Sequence, residues 1–157
     1  MLEIERKFTV KWFDPDFWGS MPIRITQGYL SSVPERTVRV RTKGIKGFIT
    51  IKGESDDEGL SRFEWEQEIP LSDAFSLLKL CEPGAIDKLR YEIQVGSRIF
   101  EVDKFLGDNE GLIVAEVELS SLDETFERPA WLGEELTGQE RYYNAALSRN
   151  PFKTWKL

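Results

Sequence analysis

The chain contains no histidine and one cysteine, Cys81. The first absence removes histidine triads, histidine general bases and every histidine-containing zinc site. The second removes an intrachain disulfide framework and a four-cysteine metal site. No stretch approaches the ~20 apolar residues of a membrane span, and the opening Met1-Leu2-Glu3-Ile4-Glu5-Arg6-Lys7 lacks the apolar centre of a signal peptide. A cytoplasmic protein with no membrane partner is therefore expected. Positive charge is also scarce, with 21 Lys and Arg against 28 Asp and Glu and a formal net charge of −7. That balance argues against nucleic acid as a partner, so any polyanion must meet a local basic site. What is present suffices for a core: 157 residues, 40% apolar and 12% aromatic, predict one domain over 1–157.

Most of the chain alternates with a period of two, the strand signal, between short turn clusters. Strands are expected at 2–10, 25–31, 36–43, 47–53, 61–69, 86–95, 97–105 and 111–119. The acidic stretch 53–59 reads as a solvated, mobile turn. A short amphipathic helix is predicted over 72–81, with Ser72 as N-cap, a Pro83-Gly84 stop, and Phe75, Leu78 and Cys81 on one stripe. A weaker helical turn is expected at 121–126 and a closing helix at 137–148. Phe63, Trp65, Tyr91 and Phe105 read as core.

The informative feature is what alternates. Glu3/Glu5, Glu64/Glu66, Glu101/Asp103 and Glu116/Glu118 form acidic pairs at spacing two, and Arg39/Arg41 and Lys88/Arg90 form basic ones. On one strand such a pair reads as a solvated face. Repeated along nearly every strand, single-sign pairs make sense if the sheet closes and sets acidic strands opposite basic ones. The expected fold is a β-dominated α+β one: a closed eight-stranded antiparallel β barrel, or tunnel, with a charged lumen and a few flanking helices. Helices and the Trp12, Trp18 and Trp131 segments are available to cover its apolar outer face. Concentrated lumenal charge is costly unless paired, hydrated or ligand-bound. Arg and Lys suit phosphate oxygens, and carboxylates without His or Cys suit hard cations, Mg2+ or Mn2+. Together they point to phosphoryl chemistry on a metal-chelated polyphosphate.

Glu3-Ile4-Glu5-Arg6-Lys7 matches the Glu-x-Glu-x-Lys signature of the CYTH superfamily, the triphosphate tunnel metalloenzymes. Arg39-x-Arg41, Lys52, Glu64-x-Glu66, Lys88-x-Arg90, Glu101-x-Asp103, Glu116-x-Glu118 and Arg141 follow in that family's order. The start 2–8 and Gln27-Gly28-Tyr29-Leu30 resemble the compact bacterial members, which are inorganic triphosphatases. The resemblance implies hydrolysis of inorganic triphosphate to pyrophosphate and phosphate, with nucleoside triphosphates as further substrates and a homodimer compatible with it. Class IV type adenylate cyclase and thiamine triphosphatase are the enzymatic alternatives, and polyphosphate binding without turnover is the third. The same resemblance implies metal ligands at Glu3, Glu5 and Glu118, with Asp103 and Glu116 at a second metal or on the attacking water. Lys7, Arg39, Arg41, Lys52, Lys88, Arg90 and Arg141 are expected to clamp phosphate oxygens. Tyr29, with Lys7, Asp103 and Glu116, completes the expected catalytic set, and Glu64, Glu66 and Glu101 support the lumenal cations.

Overall fold

A computed structural model describes residues 2–155. Alternation drives the chain into nine strands: β1 (Leu2–Val10), β2 (Ile23–Ser31), β3 (Arg36–Lys43), β4 (Lys46–Gly53), β5 (Ser61–Ile69), β6 (Ile86–Val95), β7 (Arg98–Phe105), β8 (Ile113–Glu118) and β9 (Leu132–Glu135). They hydrogen-bond in the order β5-β4-β3-β2-β6-β7-β8-β1-β9, and β5 also pairs with β1, which closes β1–β8 into an antiparallel barrel. Closure leaves those eight strands without a free lateral edge over the paired stretch. Strand β9, which sequence reading missed, uses the part of β1 that β5 does not. Leu2, Glu3 and Ile4 pair with β5, whereas Phe8 and Val10 pair with β9.

β9 also explains the one charge on the apolar face of β1. Arg6 donates to both carboxylate oxygens of Glu135, at 2.8 and 2.5 Å, and its guanidinium lies 5.3 Å from the Phe126 ring centre. The larger core lies on this outer face, where Phe8, Phe100, Val102, Val117 and Trp131 are buried. Trp131 is covered in turn by Trp18, ring centres 5.1 Å apart. Trp18 ends the short α1 (Pro15–Trp18), which Asp14 caps by accepting from the Phe17 amide. Phe63 and Trp65 depart from the expected core. They stand 53% and 45% exposed because no element covers the outer face of β5, whereas Tyr91 and Phe105 are buried.

α2 (Leu71–Leu78) begins after Pro70, so Ser72 lies inside it and supplies no cap. The earlier start turns Ala74 inward and leaves Phe75 52% exposed. Ala74 seats against β4 at Gly47, where an added Cβ would stand 2.7 Å from that of Ala74. Residues 121–126 form a turn and no helix: Glu124 accepts from the Ser120 amide and ion-pairs with Arg98. The expected 137–148 helix is also shorter, reduced to α3 (Asn144–Arg149) after a 3-10 turn at Glu140–Tyr142. Gly138, at φ +83°, interrupts it, and the Thr137 hydroxyl is engaged by the Lys7 amide.

Candidate active site

Strand parity carries the charge pairs to one face, and register sets them opposite each other. Lys7 faces Glu116, Glu5 faces Glu118, Arg90 faces Asp103, Lys52 faces Glu64, and Tyr29 faces Arg39. A cavity of about 310 Å³ opens among them, lined by Lys7, Arg39, Lys52, Lys88 and Arg90 together with Glu5, Tyr29 and Glu116. At one end the lumenal residues turn apolar: Ile86, Phe105 and Val114 pack with Leu112 and with Leu147 of α3.

Around Asp103 the charges are saturated. Arg90 donates Nε to one oxygen at 2.8 Å and a terminal nitrogen to the other at 2.9 Å, and Lys88 adds a 2.8 Å contact. Burial opposes ionisation of Asp103, but Arg90 and Lys88 overcome it and hold the carboxyl far below its ordinary value. Burial lowers Lys88 to about 8 against the pull of Asp103. Its ammonium also donates to Asn144 Oδ1 at 3.0 Å. Arg90 reaches Glu101 at 3.0 Å as well.

The β1 carboxylates are arranged differently. Glu116 meets the Lys7 ammonium at 2.7 Å, and Glu3 meets Lys52 at 2.9 Å, a lysine that lies 3.3 Å from Glu64 too. Glu5 forms no ion pair among the described residues. Burial, then the charges of Glu116 and Glu3, push its carboxyl well up. Burial also works against Glu116, yet Lys7, a hydrogen bond with Glu5, and Arg90 hold that group well below its usual value. Glu118 is raised by burial, Glu3 and Glu101, and Glu3 by burial and its hydrogen bond with Glu64.

This donor set fits a hard divalent cation. The carboxyls of Glu5 and Glu118 are held up by burial and by neighbouring carboxylates, a charge imbalance that a hard cation relieves. Glu3 is already met by Lys52 at both oxygens and would exchange that partner for the metal. No three such side chains among the described residues are already gathered at ligating positions. Asp103 fits less well than Glu5 and Glu118, because both of its oxygens are occupied by Arg90 and Lys88.

The basic side offers open donors. Arg39 and Arg41 each approach Glu66 at 3.5 Å, while their buried Nε atoms have no partner among the described residues; Arg39 lines the cavity and Arg41 does not. Arg141 lies elsewhere: it is exposed, with its guanidinium 4.6 Å from the Trp155 ring centre, and it does not line the cavity. Arg62, Tyr143, Asn144 and Arg149 do line it. Arg62 shares parity with Glu64 and Glu66 and was legible on that ground; the other three follow β9 and had no periodic signal.

The acidic stretch is exposed at Glu54, Asp56, Asp57 and Glu58, as expected of a solvated turn, and it also borders the cavity. Glu54, Ser55, Asp56, Asp57 and Gly59 line the cavity mouth. Asp56 pins the strap by accepting from the Leu60 amide and the Ser61 hydroxyl. Gly59, at φ +74°, packs on Gly138 so closely that an added Cβ would stand 2.4 Å from its Cα.

The CYTH domain family model matches residues 1–149. The inorganic triphosphatase of Acetivibrio thermocellus is 44% identical over 157 residues, covering 98% of this chain and 97% of that protein. The inorganic triphosphatase of Nitrosomonas europaea is 38% identical over 152 residues, covering 94% and 97%. A crystal structure of an inorganic triphosphatase superposes with a TM-score of 0.66 at 34% identity, covering 92% of this chain and 96% of that one. With the charged barrel already described, these likenesses place the chain in the CYTH domain family.

Proposed function

We propose that this protein hydrolyses inorganic triphosphate to pyrophosphate and phosphate inside the barrel, with Mg2+ or Mn2+ as cofactor. The observation that carries the reading is the division of the cavity wall. Lys7, Arg39, Lys52, Lys88 and Arg90 supply cations, and Glu5 and Glu116 stand beside them, the first carboxyl pushed up by burial and neighbouring carboxylates and the second held down against burial by Lys7. The inorganic triphosphatase relatives at 44% and 38% identity support the choice of substrate.

The cations bind and orient the phosphate chain. Arg39 and Arg41 carry buried, unpartnered Nε donors suited to phosphate oxygens, and a guanidinium can engage two such oxygens at once. Lys88 and Arg90 are held in place by Asp103, so the charge that meets the substrate is already organised before it arrives. A divalent cation held by Glu3, Glu5 and Glu118 supplies Lewis-acid stabilisation of the phosphate oxygens when bound. Glu116 remains ionised and oriented by Lys7, and so can hold a water molecule for in-line attack on the terminal phosphorus. Phosphoryl transfer through a loose transition state depends chiefly on positioning and electrostatics, which suits a site without a strong base. The water oxygen bonds to the terminal phosphorus, its proton passes by way of Glu116 to the departing pyrophosphate oxygen or to solvent, the bond from that phosphorus to the bridging oxygen breaks, and pyrophosphate leaves.

The test is incubation of purified protein with triphosphate, ATP or thiamine triphosphate, each with Mg2+ or Mn2+, while phosphate, pyrophosphate and cyclic AMP are measured. Triphosphate is expected to turn over fastest, to phosphate and pyrophosphate. Faster formation of cyclic AMP from ATP would overturn the assignment. Arg39→Ala should raise KM and lower kcat together, with kcat/KM down at least ~10-fold, the scale of one hydrogen bond to a charged group.

A further inference from the structure

Gln27 is fully buried on the lumenal side of β2, directly across from Arg41, yet its carbonyl oxygen Oε1 has no partner among the described residues. Its amide nitrogen Nε2 donates to the Tyr29 hydroxyl oxygen at 3.3 Å. Tyr29, two residues on, lines the cavity and faces Arg39. Gln27 itself does not line the cavity and meets it through this contact with Tyr29.

A buried amide with an unsatisfied end is costly, so a strand that keeps one in its centre retains it for a reason other than stability. A phenol has one proton to give and lone pairs with which to accept. When its oxygen accepts from Gln27, the bond leaves the proton free to be given elsewhere. Reversing the amide would reverse this logic, because a carbonyl beside the phenol would take that proton for itself. It would also place an NH2 donor, in place of an acceptor, at the unpaired end of a side chain whose cross-strand neighbour is the cationic Arg41.

We propose that Gln27 is a positioning residue that fixes the Tyr29 hydroxyl with its proton directed into the cavity, as a hydrogen-bond donor to a substrate phosphate oxygen. The inference rests on the hydrolytic reading above and adds a specific donor to it. It acts through Tyr29 alone, so the two residues must behave as one unit.

The experiment is a double-mutant cycle with triphosphate and Mg2+, comparing wild type, Gln27→Leu, Gln27→Glu, Tyr29→Phe and the two combinations. Melting temperature is measured for each. Gln27→Leu releases the hydroxyl, and kcat/KM should fall about 10-fold, within the range of a hydrogen bond to a charged acceptor. Gln27→Glu should fall further, since its carboxylate accepts the phenol proton and turns it from the cavity. In the Tyr29→Phe background both replacements should change kcat/KM less than about 2-fold, the signature of a shared pathway. Undiminished loss from Gln27→Glu in that background would assign the effect to added charge and overturn the proposal. Wild-type kcat/KM in a folded Gln27→Leu protein would overturn it as well. Gln27→Met, similar in volume, serves should the leucine variant not fold. If wild type leaves triphosphate intact, the hydrolytic reading fails by itself. The same cycle, read as triphosphate affinity by calorimetry, then decides the role of Gln27 independently.

Discussion

Asp103 and Glu5 are lumenal carboxyls of one barrel, yet their surroundings drive them in opposite directions. Asp103 is clamped by Arg90 and Lys88 and held far below its ordinary value, while Glu5 is pushed well up by burial and by the nearby charges of Glu116 and Glu3. The difference separates two uses of buried charge. Where the chain supplies its own cations, the carboxylate is a fixed part of the wall that aims those cations. Where it does not, the carboxyl keeps no counter-charge of its own, which is what the proposed metal role requires. Sign alone would have made the two equivalent; counting the partners of each distinguishes them.

The largest expected effect comes from breaking the saturated side. Asp103→Asn leaves Arg90 and Lys88 buried without their shared counter-charge, and loss of one partner in such a network costs about 3–5 kcal/mol. Chemical denaturation should show that loss directly. Turnover should fall with it, because the two cations lose their alignment. A stability within ~1 kcal/mol of wild type would mean that the network contributes little net energy, as exposed ion pairs do.

Glu5→Gln should behave in the reverse way, removing metal-dependent turnover while leaving the fold intact. Its pH dependence sharpens the comparison. A carboxyl with a raised folded value contributes stability that is complete below the unfolded carboxylate value and drains away as pH rises through the folded one. For Asp103, whose folded value is depressed, the contribution is present above the unfolded value and lost as pH falls through the folded one. Metal-free thermal melts should therefore show Glu5→Gln and wild type alike in acid, with the variant gaining on wild type as pH rises. The gap between wild type and Asp103→Asn should instead be widest at neutral pH and narrow in acid. Parallel curves for Glu5→Gln and wild type at every pH would contradict the raised Glu5 carboxyl.

Much of the barrel was legible because strand parity is a local property. The alternation of Glu3, Glu5 and Lys7, or of Arg39 and Arg41, is visible without knowing which strands neighbour each other, and their register then follows from closure. β9 was not legible: its four residues, Leu132–Glu135, gain their strand geometry from an edge of β1 whose availability depends on where β5 stops pairing. The exposed faces of Phe63 and Trp65 were misread for a related reason, since apolar character does not show whether anything covers it. The site divides similarly. The charge pairs follow from periodicity, but the saturation of Asp103, the opposite shifts of Glu5 and Glu116, and the arrival of Asn144 on Lys88 are tertiary facts. Arg141 shows the limit of motif order: it occupies the expected place in the sequence, while the 3-10 turn at Glu140–Tyr142 sets it against Trp155.

The smallest expected effect lies at the cavity mouth, where the strap of Glu54 and Asp57 sets negative charge in front of a cationic wall. Both residues are exposed, so their field is screened over about 8 Å at physiological salt and they touch approach more than grip. Neutralising them by Glu54→Gln with Asp57→Asn should raise kcat/KM for triphosphate by less than ~3-fold at low salt, leave kcat unchanged, and lose that advantage as salt is added. Asp56 is excluded from the replacement because its hydrogen bonds to Leu60 and Ser61 shape the strap. The comparison is between this variant and Arg39→Ala, measured as triphosphate affinity by calorimetry with and without Mg2+. The lumenal substitution should dominate under both conditions. If the strap variant alters affinity more than Arg39→Ala does, the phosphate chain is held at the mouth and the lumenal cations are not its principal grip.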